Sequence, residues 1–382
     1  MTKIILLDID GVLVHHGGYR AALHATLNHF ARLMGLDHFK FSEENLSELE
    51  KRGIFSEWDM VPLLLGALWE DILSGTPKKN LPADLLSAAV EIGSNMNGHV
   101  GGELIIPEFK LAAGQYPADS ALQSGCYPSV PMDLRVNLLS QSRNVKVSQT
   151  MRLFQHYSLG STLFSKTYGL PAEIQAESML MHDVSNIDDA IRAKLFQTNI
   201  YLAAITARPS APPCEVDDPH LGYAPEAELA LELVGLPDIP IIGFGKLEYL
   251  AYKHQLDPAT LVKPSPVQAL AATLAAWTGN EWSSLQAANH WRETGALNEA
   301  FDQLPTSFDL IVVEDTMGGI CSTVQAGAIL ISSGFNVKVR ALGMTNGSPA
   351  KKEAFEQAGI ESYANWGALM QALDLRDEST PF

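Results

Sequence analysis

The chain starts with a short apolar run that ends in two acids and a glycine. Residues 4–9 read Ile-Ile-Leu-Leu-Asp-Ile, and Asp10 and Gly11 follow directly. A run without alternation of polar and apolar residues is typical of a strand that is buried on both faces of a parallel sheet. We therefore expect Asp8 and Asp10 at the carboxyl end of a strand, where an open parallel sheet binds its ligand.

Three later runs have the same character, and helical patterns separate them. The runs cover residues 200–205, 239–244 and 310–313, and the helical patterns cover 226–234, 266–277 and 318–326. The tail adds a candidate strand at 328–332 and helices at 349–358 and 366–373. Strands that alternate with helices predict an α/β fold with a right-handed, doubly wound, Rossmann-like parallel sheet.

The chain between the first two predicted strands breaks this rhythm and is mostly helical. Apolar spacing near 3.6 residues predicts helices at 19–34, 43–52, 57–73, 82–92, 149–169 and 186–197. Residues 93–149 are rich in Gly, Pro, Ser and Asn, which predicts irregular loops with a hairpin around residues 104–106. The segment is long enough to be a domain, and residues 279–306 form a second, smaller helical insertion.

Composition excludes several classes of protein. The 382 residues include 26 Lys and Arg against 44 Asp and Glu, a formal charge of −18, which repels phosphate backbones and anionic lipids. We therefore expect neither nucleic-acid nor membrane partners. Cys126, Cys214 and Cys321 form no C-x-x-C pair and are odd in number, which indicates a reducing compartment rather than a disulfide framework. The N-terminal apolar run is too brief for a signal peptide, so a cytoplasmic protein is predicted.

Polar residues follow the other predicted strands as well. Thr206 ends the second strand, and its hydroxyl together with the N–H of Ala207 can hold a phosphate oxygen, although a turn or cap threonine is an alternative. Lys263 precedes a helix whose N-terminus carries the positive end of the macrodipole, although a solvated lysine is the usual interpretation of a single residue. Gly11 lets backbone N–H groups approach an anion.

An acid pair follows the fourth strand, and two weaker candidates lie elsewhere. Glu314 and Asp315, with Asp8, can form an oxygen-rich site for Mg²⁺, although acid pairs are also common at helix N-termini. Arg208 and His16 can reach a substrate, but a solvated arginine and a packed hinge histidine are the alternatives.

The order and spacing of these motifs resemble the haloacid dehalogenase superfamily. In that superfamily the first motif is D-x-D-G, the second a Thr or Ser after a strand, the third a Lys and the fourth an acid pair. The resemblance implies a catalytic core at residues 1–14 and 196–382 and a helical, C1-type cap domain at 15–195. It covers residues 1–14 and about 196–345 well.

The resemblance also implies a role for each residue. Asp8 would be the nucleophile and Asp10 the general acid and base, while Thr206 and Lys263 would bind and neutralise the phosphoryl group. The cofactor Mg²⁺ would be held by the side chains of Asp8 and Asp315 and the carbonyl of Asp10, with Glu314 binding directly or through water. Apart from the resemblance, we expect Gly11, Ala207, Arg208 and His16 to contact the substrate.

The function that follows is a Mg²⁺-dependent phosphatase acting on a small phosphorylated metabolite. A halide leaving group needs no proton, whereas an alkoxide does, so the second acid disfavours dehalogenation. Two alternatives stay open at this point: a phosphomutase on the same scaffold, and a non-catalytic binding protein that has kept the fold.

Overall fold

The structure is a computed structural model that describes residues 2–15, 17–54, 56–76, 80–94, 104–112, 115–216 and 224–373. The chain divides into two compact units. One, which we call the sheet unit, comprises Met1–His16 and Asp183–Phe382, and the other, the helical unit, comprises Gly17–His182. The sequence-based boundaries lie at 14/15 and 195/196, and residues 183–195 belong to the sheet unit in the structure.

The strands of the sheet unit are short and belong to two sheets. In chain order they are β1 (Lys3–Leu7), β2 (Val14–His15), β3 (Val184–Ser185), β4 (Ile200–Ile205), β5 (Ile241–Ile242), β6 (Ser307–Glu314), β7 (Asn336–Met344) and β8 (Glu361–Tyr363). A six-stranded sheet has the order β5-β4-β1-β6-β7-β8 and is parallel throughout, and β2 pairs antiparallel with β3. The predicted α/β class with a parallel sheet is confirmed.

Helices account for most of the remaining described residues. The helical unit contains α1 (Gly18–Leu33), α2 (Glu43–Lys51), α3 (Glu57–Gly75), α4 (Leu85–Gly93), α5 (Pro117–Gln123), α6 (Met132–Leu139), α7 (Gln149–Leu159) and α8 (Ser161–Tyr168). The sheet unit contains α9 (Asp189–Leu195), α10 (Glu226–Leu233), α11 (Phe244–His254), α12 (Pro266–Thr278), α13 (Glu281–Thr294), α14 (Met317–Ser332), α15 (Pro349–Gln357) and α16 (Trp366–Ala372).

The strand order reverses at β1: later strands are added to the sheet on both sides of it. β1 pairs with β4 on one side and β6 on the other, and β5 lies beyond β4 while β7 and β8 lie beyond β6. Ile4 and Leu6 face a core that α11–α15 cover, whereas Ile5 and Leu7 face a core that α9, α10 and α16 cover. Burial on both faces explains why β1 is apolar without alternation. Ligands of open parallel sheets bind at the carboxyl ends of the strands at such a reversal.

The predicted strand at residues 328–332 is wrong. This segment is the last part of α14, and the next strand, β7, begins at Asn336. Within the segment Leu330 is buried in the core beside the sheet, whereas Ile331 is 50% exposed, so the apolar run does not reflect uniform burial. A short apolar run does not distinguish a buried helix from a buried strand.

The helical unit also differs from the prediction in its centre. The irregular region expected at 93–149 contains α5 and α6, and the described residues 104–106 form no strand of a hairpin. Leu134, Leu138 and Leu139 of α6 are buried in the core of the unit. Seven- and eight-residue helices give too few turns for a clear periodicity. The helix predicted at 149–169 is two helices, because Gly160 interrupts it with φ of 77°.

No helix among the described residues has both the length and the apolar character that crossing a lipid bilayer requires.

A buried histidine makes the helical unit sensitive to acid. His156 of α7 is fully buried, stacks on the ring of Phe164 at a centroid distance of 3.7 Å, and accepts a hydrogen bond at Nε2 from the N–H of Glu173. Burial, and then the positive charge of Arg152, lowers the pKa of His156 to about 4. The folded unit therefore keeps this imidazole neutral.

We expect His156 to contribute an acid-dependent loss of stability. Above the ordinary pKa of about 6.5, the imidazole is neutral in the folded and unfolded chains, so it adds no pH dependence. Between about 6.5 and 4 the unfolded chain takes up a proton that the folded chain does not, so the free energy of unfolding falls as the pH falls. Urea unfolding of wild type and His156→Gln across this range measures the effect, and the variant should show the shallower decline. Equal slopes would contradict this account of His156.

Candidate active site

The first acidic motif forms a tight turn at the end of β1. The N–H of Asp8 still bonds to the carbonyl of Val313 at 3.0 Å, and the chain then turns so that Leu13 N–H donates to the carbonyl of Ile9 at 2.9 Å. Asp8 is buried, whereas the side chain of Asp10 is 30% exposed. The two acids of the motif therefore occupy different environments.

Gly11 is required in this turn by both its conformation and its surroundings. Its φ of 74° lies in the left-handed region, and a Cβ at this position would lie 2.3 Å from Oδ2 of Asp315. Its carbonyl accepts a hydrogen bond of 2.6 Å from the side chain of Asn346. The absence of a side chain lets the turn approach the acid pair at the end of β6.

Three buried carboxylates meet at the ends of β1 and β6. One oxygen from each of Asp8, Glu314 and Asp315 lies within 4.8 Å of the others. Because the two strands are hydrogen-bonded neighbours, their carboxyl ends bring residues together that are about 300 positions apart in the chain. Hard oxygen ligands of this kind suit a cation such as Mg²⁺.

Lys263 lies against two of these carboxylates. Its Nζ is 2.9 Å from Oδ1 of Asp8 and also donates to Oε1 of Glu314. The other oxygen of Glu314 accepts from the Thr316 hydroxyl at 2.8 Å and from two backbone N–H groups, those of Asp315 and Thr316. Both oxygens of Glu314 are thus engaged by the protein.

The cluster holds more negative charge than the neighbouring lysine offsets. Burial, followed by the charges of Glu314, Asp315 and Asp10, raises the pKa of Asp8 well above its ordinary value even though Lys263 acts to lower it. Burial alone would lower the pKa of Lys263, but Asp8 and Glu314 outweigh it and raise that pKa. Lys263 therefore stays an ammonium, and holding Asp8 as a carboxylate calls for a further positive charge.

A divalent cation fits this donor set. Hydrogen bonds from the described residues leave Oδ2 of Asp8 and Oδ1 of Asp315 without a donor, so both are available as ligands. Glu314 is less suited to direct ligation because both of its oxygens already accept hydrogen bonds. The residues that can hold a metal are therefore Asp8 and Asp315, with Glu314 beside them.

Thr206 follows β4, which lies on the other side of β1 from β6. Its buried hydroxyl accepts a hydrogen bond of 3.1 Å from the N–H of Arg208, which leaves the hydroxyl hydrogen available as a donor. Gln268 of α12 donates to the carbonyl of Thr206 at 3.0 Å and accepts from the N–H of Lys263 at 3.0 Å. One amide thus links the predicted second and third motifs.

Arg208 contacts the second acid of the first motif. Its Nε lies 3.0 and 2.8 Å from the two carboxylate oxygens of Asp10, and its Nη2 lies 2.6 Å from Asp10 Oδ1. Nη2 also donates to Oδ2 of Asp183 at 2.8 Å. The guanidinium is buried between these two acids.

A second lysine contacts the acidic cluster from the first turn of α15. Nζ of Lys351 donates to Oδ2 of Asp315, and its side chain is 37% exposed. Its neighbour Lys352 instead lies 3.7 Å from Glu356 on the surface of the same helix. The Lys351 ammonium would therefore repel a cation bound at Asp315 and compete with it for that carboxylate.

The structure brings most of the predicted residues to one edge of the sheet. They are Asp8, Asp10, Gly11, Thr206, Arg208, Lys263, Glu314 and Asp315, and Ala207 lies exposed beside Thr206. His16 lies outside the described residues.

Four contributors were not predicted from the sequence: Asp183, Gln268, Asn346 and Lys351. Gln268 had a detectable signal, because it is the amide side chain in the otherwise largely apolar run of α12. Asn346 and Lys351 follow β7, and the misplacement of that strand hid them. Asp183 had no comparable signal.

No protein-family model and no curated protein matches this sequence. Among solved structures, the chain is similar to "Phosphatase Tt82 from Thermococcus thioreducens", with 14% sequence identity and a TM-score of 0.39. The alignment covers 92% of this chain and 99% of that chain. A likeness at this level establishes neither a shared fold nor a shared activity, so the chemistry has to follow from the side chains themselves.

We expect Lys351→Gln to bind a divalent cation more tightly than the wild type. The substitution removes an ammonium that competes for Asp315, and affinity should rise on the order of fivefold to tenfold, where tenfold corresponds to about 1.4 kcal/mol. Calorimetric titration with Mg²⁺ and with Mn²⁺ at fixed ionic strength measures it. Lys352→Gln is the matched control and should match the wild type; equal affinities for all three proteins would show that Lys351 does not compete.

Proposed function

We propose that the protein is a Mg²⁺-dependent phosphomonoesterase that forms a phosphoaspartate on Asp8. The observation that carries the proposal is the position of Lys263, which lies against Asp8 and Glu314 in a buried cluster that still requires another positive charge. A scaffold alone would gain nothing from three adjacent buried acids, because each costs free energy to bury. A site for an incoming phosphate and a divalent cation accounts for them.

The first half of the reaction transfers the phosphoryl group to Asp8. A carboxylate oxygen of Asp8 forms a bond to phosphorus while the bond between phosphorus and the ester oxygen breaks. The departing oxygen gains negative charge and takes the proton of the Asp10 carboxyl group, so that an alcohol leaves. The more exposed position of Asp10, which the turn at Gly11 creates, suits contact with this leaving group.

The second half hydrolyses the phosphoaspartate. Asp10, now a carboxylate, accepts a proton from a water molecule, and the water oxygen attacks phosphorus. The bond between phosphorus and the Asp8 oxygen breaks, which releases inorganic phosphate and restores both acids. The same group thus acts first as an acid and then as a base.

Positive charge and hydrogen-bond donors lower the cost of both steps. Three carboxylates, those of Asp8, Glu314 and Asp315, face the two ammonium groups of Lys263 and Lys351, which leaves one formal negative charge. Bound at Asp8 and Asp315, Mg²⁺ would supply the charge that lets a phosphate dianion approach the nucleophile. Lys263 offsets charge on Asp8, and the Thr206 hydroxyl donates to a phosphoryl oxygen. Glu314 holds Lys263 in place.

We assign the protein to the haloacid dehalogenase superfamily as part of this proposal. Support comes from the order of the four motifs and from their convergence on the carboxyl ends of β1, β4 and β6. The helical unit, inserted after the first motif, is proposed as the cap that selects the substrate, a small phosphorylated metabolite.

We expect Asp8→Asn to abolish turnover while the protein stays folded. Loss of the nucleophile in a covalent mechanism lowers kcat by roughly four orders of magnitude or more. The melting temperature should not fall, because the amide replaces a buried carboxyl whose pKa is raised. Release of phosphate from 4-nitrophenyl phosphate gives the rate, and acid-quenched enzyme incubated with labelled substrate reports bound phosphate. Asp302→Asn, at an exposed position, is the control. Unchanged turnover in Asp8→Asn would refute the proposed nucleophile.

Removal of divalent cations should abolish hydrolysis, and Mg²⁺ should restore it. Without the cation, burial and the neighbouring acids disfavour the Asp8 carboxylate, and the site repels phosphate. The test is the initial rate before dialysis against EDTA, after it, and after addition of MgCl₂. NaCl at equal ionic strength is the control and should restore nothing. A rate indifferent to EDTA would contradict a metal-dependent mechanism.

A further inference from the structure

Asp183 is a buried acid that the proposed chemistry does not itself use. It is the first residue of the sheet unit after the helical unit, and its side chain is 1% exposed. Its Oδ2 accepts a hydrogen bond of 2.8 Å from Nη2 of Arg208. Burying a carboxylate costs free energy unless the charge is paired, so the pairing with Arg208 explains why the residue is tolerated there.

Arg208 links Asp183 to the proposed acid–base residue. The guanidinium is planar, and its Nη2 lies between Oδ1 of Asp10 and Oδ2 of Asp183. A planar fork held by acids at two points has its orientation fixed, whereas a single partner leaves it free to tilt. The backbone N–H of Arg208 also holds the Thr206 hydroxyl, so the same residue serves two positions of the site.

We propose that Asp183 is a positioning residue that acts through Arg208 to hold the Asp10 carboxyl group against the leaving oxygen. This inference rests on the proposed phosphatase function. Asp10 lies within the tight turn after β1 and its side chain is 30% exposed, so its rotamer is not set by packing alone. General acid catalysis requires the proton donor within hydrogen-bond reach of the leaving oxygen, and a loosely held acid loses that position.

The alternative is that Asp183 stabilises the fold and nothing more. A purely structural residue would affect all substrates alike. A residue that positions the acid affects a substrate according to how much its leaving group needs a proton. The dependence on the leaving group therefore separates the two roles.

The test compares Asp183→Asn with the wild type on two esters. An alkyl phosphate leaves as a strongly basic alkoxide and needs the proton of Asp10, whereas 4-nitrophenolate leaves without one. We expect kcat/KM for the alkyl ester to fall on the order of tenfold to a hundredfold, within the range that general acid catalysis contributes. For 4-nitrophenyl phosphate, kcat/KM should fall by less than about threefold, because that ratio reports phosphoryl transfer and not the later attack of water.

Two further variants keep the experiment decisive. Asp189→Asn alters an exposed acid that pairs with Arg192 on α9, and it should leave both ratios unchanged. If Asp183→Asn shows no cooperative melting transition, Arg208→Lys takes its place, since it keeps the charge but loses the planar fork, and the same selective loss is expected.

Each outcome decides the matter. A selective loss with the alkyl ester supports the positioning role. An equal loss with both esters, or no loss, overturns it while the phosphatase proposal stands. A wild type that hydrolyses neither ester with Mg²⁺ present overturns both proposals together.

Discussion

Repulsion among three buried carboxylates is the constraint on which the site depends. Asp8, Glu314 and Asp315 each offer an oxygen within 4.8 Å of the others, in surroundings where water screens little of the repulsion. The protein offsets part of it with Lys263, with Lys351 and with the N–H and hydroxyl donors around Glu314. What remains is an electrostatic demand for a cation, and a cation placed there also attracts phosphate. In the proposed reaction, binding of the cation and binding of the phosphate thus have one physical origin.

The sheet supplies the geometry that this arrangement needs. Adjacent parallel strands end at the same edge, so β1 and β6 bring the acids together without a dedicated scaffold. Two glycines provide the space that the acids need. Gly11 has no Cβ to collide with Asp315. A Cβ on Gly319 would lie 2.1 Å from Cδ of Glu314, so glycine there lets the first turn of α14 lie against that carboxylate. Gln268 then ties the ends of β4 and β5 to the backbone of Lys263, because its amide bonds to the carbonyls of Thr206 and Ile242 and to the Lys263 N–H. These hydrogen bonds hold the backbone of Lys263, which lies on a loop, in a fixed position relative to the strand ends.

The pattern of apolar residues in the sequence predicted strands correctly where the strand is buried along its whole length and failed where burial is mixed. β1 is apolar on both faces because both are covered, so its position and the acids after it were visible in the sequence. β7 mixes exposed and buried residues at its start, while the end of α14 is apolar, and the pattern therefore placed the strand too early. That error concealed Lys351. Local sequence pattern could not identify Asp183, because what marks this residue is its hydrogen bond with Arg208, which is distant in sequence and adjacent only after folding.

One short turn places the two acids of the first motif in different environments, which suit the two tasks proposed for them. Asp8 is enclosed with other acids and one ammonium, which suits a nucleophile whose charge is to be consumed by bond formation. Asp10 is two residues away but lies at a more exposed position, where Arg208 rather than a lysine holds it. A guanidinium fixes direction as well as charge, and direction is what proton transfer requires. Its charge favours the carboxylate form of Asp10, and Asp183, which pairs with the same guanidinium, offsets part of that effect. In the proposed reaction the ammonium beside Asp8 offsets charge and does not have to set a direction. Lys263 beside Asp8 offsets charge, whereas Arg208 beside Asp10 also fixes the orientation of the carboxyl group, and this difference accounts for a lysine at one acid and an arginine at the other.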